Sequence, residues 1–566
     1  MKYSSVFVSL LASIPAISTA WQTTLPLSFG RVATQGKVAV AREAKTELQA
    51  TLADIKKTRA AKRKSRRKDM KKKRGVKPSI EPKPLPEGQT AYDNDLESTI
   101  QAKIDAWVQK KDELMAQLDD MVNSVPNFYD DLMYSLAAAN DDAQVRLDRP
   151  LYDVLGDLTW TSLDGTTTTQ INGWPLDYAG YKDFLSWYAK YTPQQSDLPA
   201  WSDPATGISQ QVFDHLCHFY WLVDQDLSDS PSGVATLQEY PGFANWLVDY
   251  ANLWGAFCDS QLSISQKTIK SFVDYSPNFN VTDSMIPWNE ELYPEDGEDF
   301  PPDTIFDPNG VPLRPNSPSG WKTWNQFFAR QLNGGLRPID DPEDNTVICS
   351  TADCTFMQMF PIDEEGNVIA DDGDGVVIKN GKIGNVRELL AGSDYADAFD
   401  GGTYMHFFLA PYSYHRFRTP VKGEIKECFP VPGRTYLDVI IKDDGQFDAP
   451  DYANDGYEFI QSRGILTIDT TESDAGNVGI VAAIPVGMAQ VSGVSMTATP
   501  GPAPKGAEFG FFTFGGSDNA LLFQKGVNPT LFDTVTGDSP DTDGAVYNLV
   551  SSKVGTAHLL PTPVDD

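Results

Sequence analysis

The chain has 566 residues, enough for two or three domains with cores of their own, and a formal charge of −32 from 46 basic and 78 acidic residues. The charge is uneven: Lys56–Lys77 holds 14 of the basic residues and one acid, Asp69, leaving 32 basic residues against 77 acidic ones elsewhere. So acidic a body excludes nucleic acid, or an anionic membrane, as a partner held by general electrostatics, and leaves peripheral membrane contact to the basic run alone.

From the N-terminus, Lys2, the apolar run Val6–Ile17 and the small residues Ser18-Thr19-Ala20 predict a secretory signal over residues 1–20, cleaved before Trp21. The apolar run is too short to span a bilayer. Trp21–Arg42 holds three basic residues, several Ser and Thr and no acid. It is similar to the plastid-directed presequences of algae with complex plastids, with Trp where Phe is usual, so plastid and endomembrane destinations both stay open. Residues 21–90 as a whole read as a transit segment followed by a basic and Pro-rich linker ending in KPSIEPKPLPEG.

Residues 91–275 predict a helical domain. Leu96, Ile100, Ile104, Trp107, Leu114, Leu118 and Met121 recur at helical spacing between Tyr92 and Val122, and Tyr181–Tyr191 and Gln211–Leu227 continue the pattern. His215 and His218 share one helical face and, with no third ligand in reach, read as core or surface histidines. Five scattered cysteines (217, 258, 349, 354 and 428) give neither a disulfide framework nor zinc spacing, so no metal site is expected. Residues 276–320 are an acidic, Pro-rich connection without EF-hand spacing, opened by the sequon Asn280-Val281-Thr282. From residue 321 to 566 the pattern changes to short strands between Gly, Asp and Asn turns, with a few helices such as Val386–Leu390. The fold class is therefore α+β: a mostly helical N-terminal domain followed by a β-rich one.

Four blocks of the β-rich region carry chemistry. The first runs from Trp321 to Asp353 and includes FFARQL, LRPID and CSTAD; the second is FFLAPYSYHRFRTPVKG, Phe407–Gly423. The third is GIVAAIPVGMAQVSG, Gly479–Gly493; the fourth is EFGFFTFGGSDNALLFQKG, Glu508–Gly526. The fourth reads as strand, glycine turn and strand, and Gly515–Asn519 taken alone is a hairpin loop. A second reading is chemical. On a strained turn the Ser517 hydroxyl can attack the Gly516 carbonyl, which no side chain shields, and the resulting ester can eliminate to leave a carbonyl group at Ser517.

Together and in this order the blocks resemble the phosphatidylserine decarboxylase family of pyruvoyl enzymes, whose pattern is FF-x-R-x-L, R-P-I, S-x-A-D, YHR, VPVG and a terminal G-S processing site. The resemblance covers roughly residues 315–530. It implies a proenzyme that cuts itself between Gly516 and Ser517, leaving a pyruvoyl group on the C-terminal chain 517–566, which stays bound to the larger chain. Decarboxylating an amino acid needs an electron sink that condenses with the substrate amine, and the resemblance implies that this pyruvoyl carbonyl is the sink. It assigns Asp353 to the S-x-A-D position and His415 to the decarboxylation step. Tyr414 and Phe417 read as packing residues; Pro485, Gly487 and Gly493 read as turn setters.

The sequence departs from the family pattern at three places. The S-x-A-D block is Ser350-Thr351-Ala352-Asp353-Cys354, without the usual Pro before Ala or Gly after Asp. Asp518 follows the serine where Thr is common, and either assists proton removal or shapes the turn. The second histidine of the YHR block, implied to be the processing base, is Arg418. Arginine stays protonated and cannot act as a base, though it can pair with Asp353 or hold a substrate carboxylate; His415 or His406 is then left to reach Ser517. The resemblance implies phosphatidylserine as substrate and phosphatidylethanolamine and carbon dioxide as products. The helical domain, through INGWPLDYAGYKDFLSWYAKY, is similar to that of a fungal branch that includes decarboxylases of aromatic amino acids, which keeps tryptophan open as a substrate. Arg418 keeps open an unprocessed, non-catalytic homologue.

Overall fold

Apolar side chains three and four residues apart build the first half of the structure. In α1 (Thr90–Ser124) Trp107, Leu114 and Leu118 lie on one buried face; in α2 (Phe128–Arg146) Phe128, Leu132, Leu136, Ala139 and Ala143 do the same. The layer is completed by α3 (Tyr178–Tyr188), α4 (Gln211–Trp221), α5 (Pro241–Cys258) and α6 (Gln266–Tyr275). Buried tryptophan seeks an acceptor for its indole N–H, and for four of them here the acceptor is a backbone carbonyl of a neighbouring segment. Trp107 donates to Leu253 O at 2.8 Å, Trp246 to Leu114 O at 2.8 Å, Trp221 to Ala139 O at 2.9 Å and Trp254 to Tyr191 O at 3.0 Å. α3 ends at Tyr188, after which Lys190 and Tyr191 donate to the Trp187 and Tyr188 carbonyls in a tighter turn ahead of Pro193. His215 and His218 are core residues: the His215 ring stacks on Tyr191 at 4.2 Å and on Trp201 at 4.7 Å.

The computed structural model describes residues 90–561, omitting internal stretches that are chiefly 148–158, 162–167, 288–304, 316–320, 450–455 and 537–545. The expected signal, transit segment and basic linker lie outside the described residues, as does Asn280 of the sequon. Described parts of the 276–320 connection contain three short strands, Ser284–Pro287, Ile305–Phe306 and Pro312–Pro315, which join Gln331–Leu332 in a four-stranded sheet.

Alternating and continuous apolar runs build the second half, and an α+β fold results. Its strands, in chain order, are β1 (Cys354–Pro361), β2 (Thr403–Leu409), β3 (Arg416–Arg418), β4 (Gly423–Val431), β5 (Arg463–Asp469), β6 (Ile480–Met488), β7 (Val494–Met496), β8 (Gly501–Ala503), β9 (Glu508–Phe512), β10 (Gly516–Phe523) and β11 (Tyr547–Asn548). Eight of them form one antiparallel sheet in the order β8-β4-β5-β6-β10-β2-β1-β11, and β3-β9-β7 form another. All nine residues of β6 are buried, as expected of a strand covered on both faces. One face of β10 joins the core shared with the helical layer through Leu521 and Phe523; the other joins a smaller core through Ala520 and Leu522.

Two sequence expectations are corrected here. Glu508–Phe512 and Gly516–Phe523 are not the arms of a hairpin: β9 pairs with β3 and β7, whereas β10 pairs with β6 and β2. Pro485 and Gly487 do not set a turn but lie inside β6, with Gly487 directly opposite Ser517. Tyr414 and Phe417 pack as expected; the Phe417 ring lies 4.9 Å from Phe509 and 5.0 Å from Phe512.

Candidate active site

Gly516 and Ser517 open the central strand β10 instead of standing on a turn. Ser517 is fully buried, paired with Leu409 on one side and Gly487 on the other, and its Oγ has no hydrogen-bond partner among the described residues. An orphaned buried hydroxyl forfeits stability, so its presence on a central strand calls for an explanation. Side chains alternate along a strand, which puts Ser517 and Asn519 on the face of the shared core, and Asp518 and Ala520 on the other.

The S-x-A-D block reaches the serine's face. Asn519 Nδ2 donates to Thr351 Oγ1, and the Thr351 carbonyl accepts the Arg418 backbone N–H at 2.8 Å. Asp353 does not pair with Arg418. The fork of Arg337, from the LRPID segment, takes both Asp353 oxygens, Nε to Oδ1 at 2.7 Å and Nη2 to Oδ2, and the Val550 N–H adds a third bond at 2.8 Å. The Asp353 side chain is 2% exposed and that of Arg337 10%. Arg418, also buried, spends its Nη1 on the Arg337 carbonyl at 3.0 Å and on Ser551 Oγ at 3.2 Å. A carboxylate so satisfied has no need of a second arginine.

His415 sits where β3 begins, fully buried, its ring stacked on Phe328 at 3.9 Å. Phe328 in turn meets Phe514, three residues before Ser517, at 5.0 Å. The Phe514 N–H donates to Asn325 Oδ1 at 3.1 Å, and Asn325 Nδ2 donates to Asp259 Oδ1 at 2.9 Å, just beyond α5. The helical layer thus borders the processing segment, with Trp254 packed on Phe514 at 5.0 Å. Burial, followed by the positive charge of Arg330, holds the His415 pKa well below its ordinary value, with only the Ser413 backbone opposing. The imidazole is therefore neutral at neutral pH, as a base must be.

His406 cannot reach the serine. It pairs with Ala520, three residues from Ser517, and so projects from the opposite face of the sheet. There it lies between Glu458, Nδ1 to Oε1 at 3.4 Å, and Asp518, Nε2 to Oδ2 at 3.7 Å, with Tyr404 Oη donating to Glu458 at 2.7 Å. Burial pushes the Asp518 carboxyl up to about 6, with His406 holding it back. Asp518, on this far face, is not the group that takes the Ser517 proton. Among the described residues no cluster of His, Cys, Asp and Glu has the geometry of a metal site.

Sequence reasoning brought Asp353, His415, Arg418, Gly516 and Ser517 to one region, but it missed the partners. Arg337, Arg330, Thr351 and Asn519 were all inside the quoted blocks. The charge of the two arginines in an otherwise apolar context is the signal that could have found them.

A family model described as phosphatidylserine decarboxylase matches residues 324–538. Phosphatidylserine decarboxylase proenzyme 2 of Oryza sativa subsp. japonica is 32% identical over 206 residues, 36% of this chain and 30% of the relative. The decarboxylase iboD of Amanita muscaria is 31% identical over 218 residues, 36% of this chain and 59% of the relative. Both matches span less than two thirds of the relative's length. The phosphatidylserine decarboxylase proenzyme of Anoxybacillus flavithermus is 30% identical over 208 residues, 37% of this chain, and there the match spans 68% of the relative. With the motif order and the strand that carries the Gly-Ser bond, this similarity shows that the chain belongs to the phosphatidylserine decarboxylase family.

Proposed function

We propose that the protein is a self-processing, pyruvoyl-dependent decarboxylase that converts phosphatidylserine to phosphatidylethanolamine and carbon dioxide. The observation that carries the reading is the buried, unpartnered Ser517 Oγ at a Gly-Ser bond on the central strand, with the S-x-A-D block on its face and His415 nearby. In processing, Ser517 Oγ attacks the Gly516 carbonyl carbon and its proton passes to a base. The peptide C–N bond breaks as the ester C–O bond forms. Elimination releases the Gly516 carboxylate and leaves dehydroalanine; water then adds, ammonia leaves and the pyruvoyl group remains. That group supplies the carbonyl that accepts electrons when the substrate loses carbon dioxide. Neutral His415, linked to the serine's segment through Phe328 and Phe514, is the imidazole left for this role, since His406 is on the other face and Arg418 keeps its proton.

The mass of the C-terminal fragment tests this. A piece beginning at residue 517 and blocked by a keto group supports it; an intact Gly516-Ser517 bond favours the non-catalytic homologue. The packing of Trp254 on Phe514, which makes the helical layer a wall of the site, favours a second reading in which the substrate is a free aromatic amino acid. No described helix is long and apolar enough to cross a membrane. Carbon dioxide release from phosphatidylserine vesicles against free tryptophan decides between the two, and turnover of tryptophan alone overturns the lipid reading. Targeting to the secretory pathway through residues 1–20 is a further part of the proposal. A mature N-terminus at Trp21 supports it, and retention of Met1 counts against it.

The missing base gives a kinetic prediction. A positioned general base contributes about 10²–10⁴-fold, but Asp353 is tied to Arg337 and cannot orient a new imidazole. Arg418→His is therefore expected to speed cleavage by about tenfold, below that range. An unchanged rate, followed by the loss of the uncut band on a denaturing gel, means that another residue already takes the proton.

A further inference from the structure

We propose that Arg330 and Phe328, the two ends of the FAR segment in the FF-x-R-x-L block, are positioning residues for His415. The inference rests on the decarboxylase reading and names how that site holds its imidazole. Arg330 is 1% exposed and, among the described residues, its guanidinium forms no ion pair with a carboxylate. It clamps backbone carbonyls instead: Nη2 donates to Tyr412 O at 3.0 Å and Ser413 O at 3.4 Å, and Nη1 to Phe328 O at 3.3 Å. Tyr412 and Ser413 lie three and two residues before His415, and Phe328 is the ring stacked on it.

A second tie closes the clamp from the other side, as Arg416 Nε donates to Ala329 O at 2.7 Å. Residues 328–330 and 412–416 are thus laced together around the imidazole. A planar fork suits this task, because it holds several carbonyls in fixed directions and keeps its charge when buried. The cost of burying an arginine without a carboxylate is large, and a purely structural filler has no reason to bear it.

The clamp has an electrical effect as well as a steric one. Arg330 is the charged group acting on His415. Arg416, next in the chain, is neutralised by Glu508 of β9 at 2.5 Å, and the rings facing the imidazole, Phe328 and Phe512, are apolar. Burial opposes protonation most and the positive charge of Arg330 adds to it, so the imidazole stays a free base at pH values where a solvated histidine is already charged.

The test is direct titration of the His415 ring by NMR in the full-length, uncut Ser517→Ala chain, where the result does not depend on activity. With Arg330 intact, His415 is expected to stay neutral well below the pH at which a solvated histidine takes up its proton. Arg330→Gln is expected to raise its midpoint by about one pH unit or more, whereas Arg330→Lys keeps the charge and leaves the midpoint low. Titration near about 6.5 with Arg330 intact, or no movement in the Gln variant, overturns the inference. Should Arg330→Gln fail to fold, Phe328→Leu in the processed enzyme decides the matter. The expected result is kcat down about tenfold with KM within about twofold, and an unchanged kcat overturns the role. A His415 that titrates as expected in a protein that releases no carbon dioxide from any substrate leaves the clamp standing and sinks the decarboxylase reading alone.

Discussion

Ser517→Ala is expected to yield one uncut chain that releases no carbon dioxide from phosphatidylserine or tryptophan, while the unaltered protein yields a C-terminal piece of residues 517–566. The loss is complete rather than partial, because the variant lacks the hydroxyl that must attack the Gly516 carbonyl and then leave with its carboxylate, so no dehydroalanine and no ketone can form. Stability is not the reason. The Ser517 Oγ makes no hydrogen bond among the described residues, so its removal takes none of their bonds from the fold and relieves an unsatisfied buried hydroxyl, a gain on the order of 1 kcal/mol. The variant should therefore unfold at a denaturant concentration equal to or above that of any uncut parent. Two chains from Ser517→Ala would show that the junction lies elsewhere.

Arg337→Ala carries the largest expected cost in stability. It leaves the Asp353 carboxylate, 2% exposed, with the Val550 N–H as its remaining bond, and removing one partner of a buried pair costs about 3–5 kcal/mol. The measurement is urea unfolding in the Ser517→Ala background, where all molecules are a single uncut chain and variant and parent midpoints are compared directly. Arg337→Lys keeps the charge but not the fork, and should recover part of the loss. A cost below about 1 kcal/mol would mean that water reaches Asp353 and the pair acts as a surface one. His415 adds a pH dependence of known sign. Its folded-state pKa is depressed, so below about pH 6.5 the unfolded chain binds a proton that the folded chain refuses. Stability is expected to fall as pH drops through that value and not to depend on His415 above it.

Much of this was legible in the sequence, and the parts that were not share a cause. The buried face of α1 follows from the spacing of Trp107, Leu114 and Leu118, because a helix is defined by contacts within one stretch. The β-rich half was legible as a class for the same reason, from turn residues and short apolar runs. Which strand lies beside which is set by distant pairings that local pattern does not contain. Phe509–Phe512 and Ala520–Phe523 therefore read as a hairpin although they belong to different sheets. The same gap misplaced His406: whether it shares a face with Ser517 depends on the register between β2 and β10, which one residue of slip would invert. Motif position left Arg418 able to pair with Asp353 or to hold a substrate carboxylate, but side-chain geometry gives Asp353 to Arg337, whose fork reaches both oxygens.

The proposed cut would fall after the first residue of a strand that is hydrogen-bonded along both edges, to β6 and to β2, and both neighbours would remain in the larger product. Severing the backbone there would remove one covalent link and the residue-517 N–H but leave the pairings from Asp518 to Phe523, so the daughter polypeptides would stay interwoven and separate only when the whole domain melts. Maturation must come after folding, since the short product owns neither of the strands that flank its own. Mixing the two pieces made separately should accordingly give no working protein.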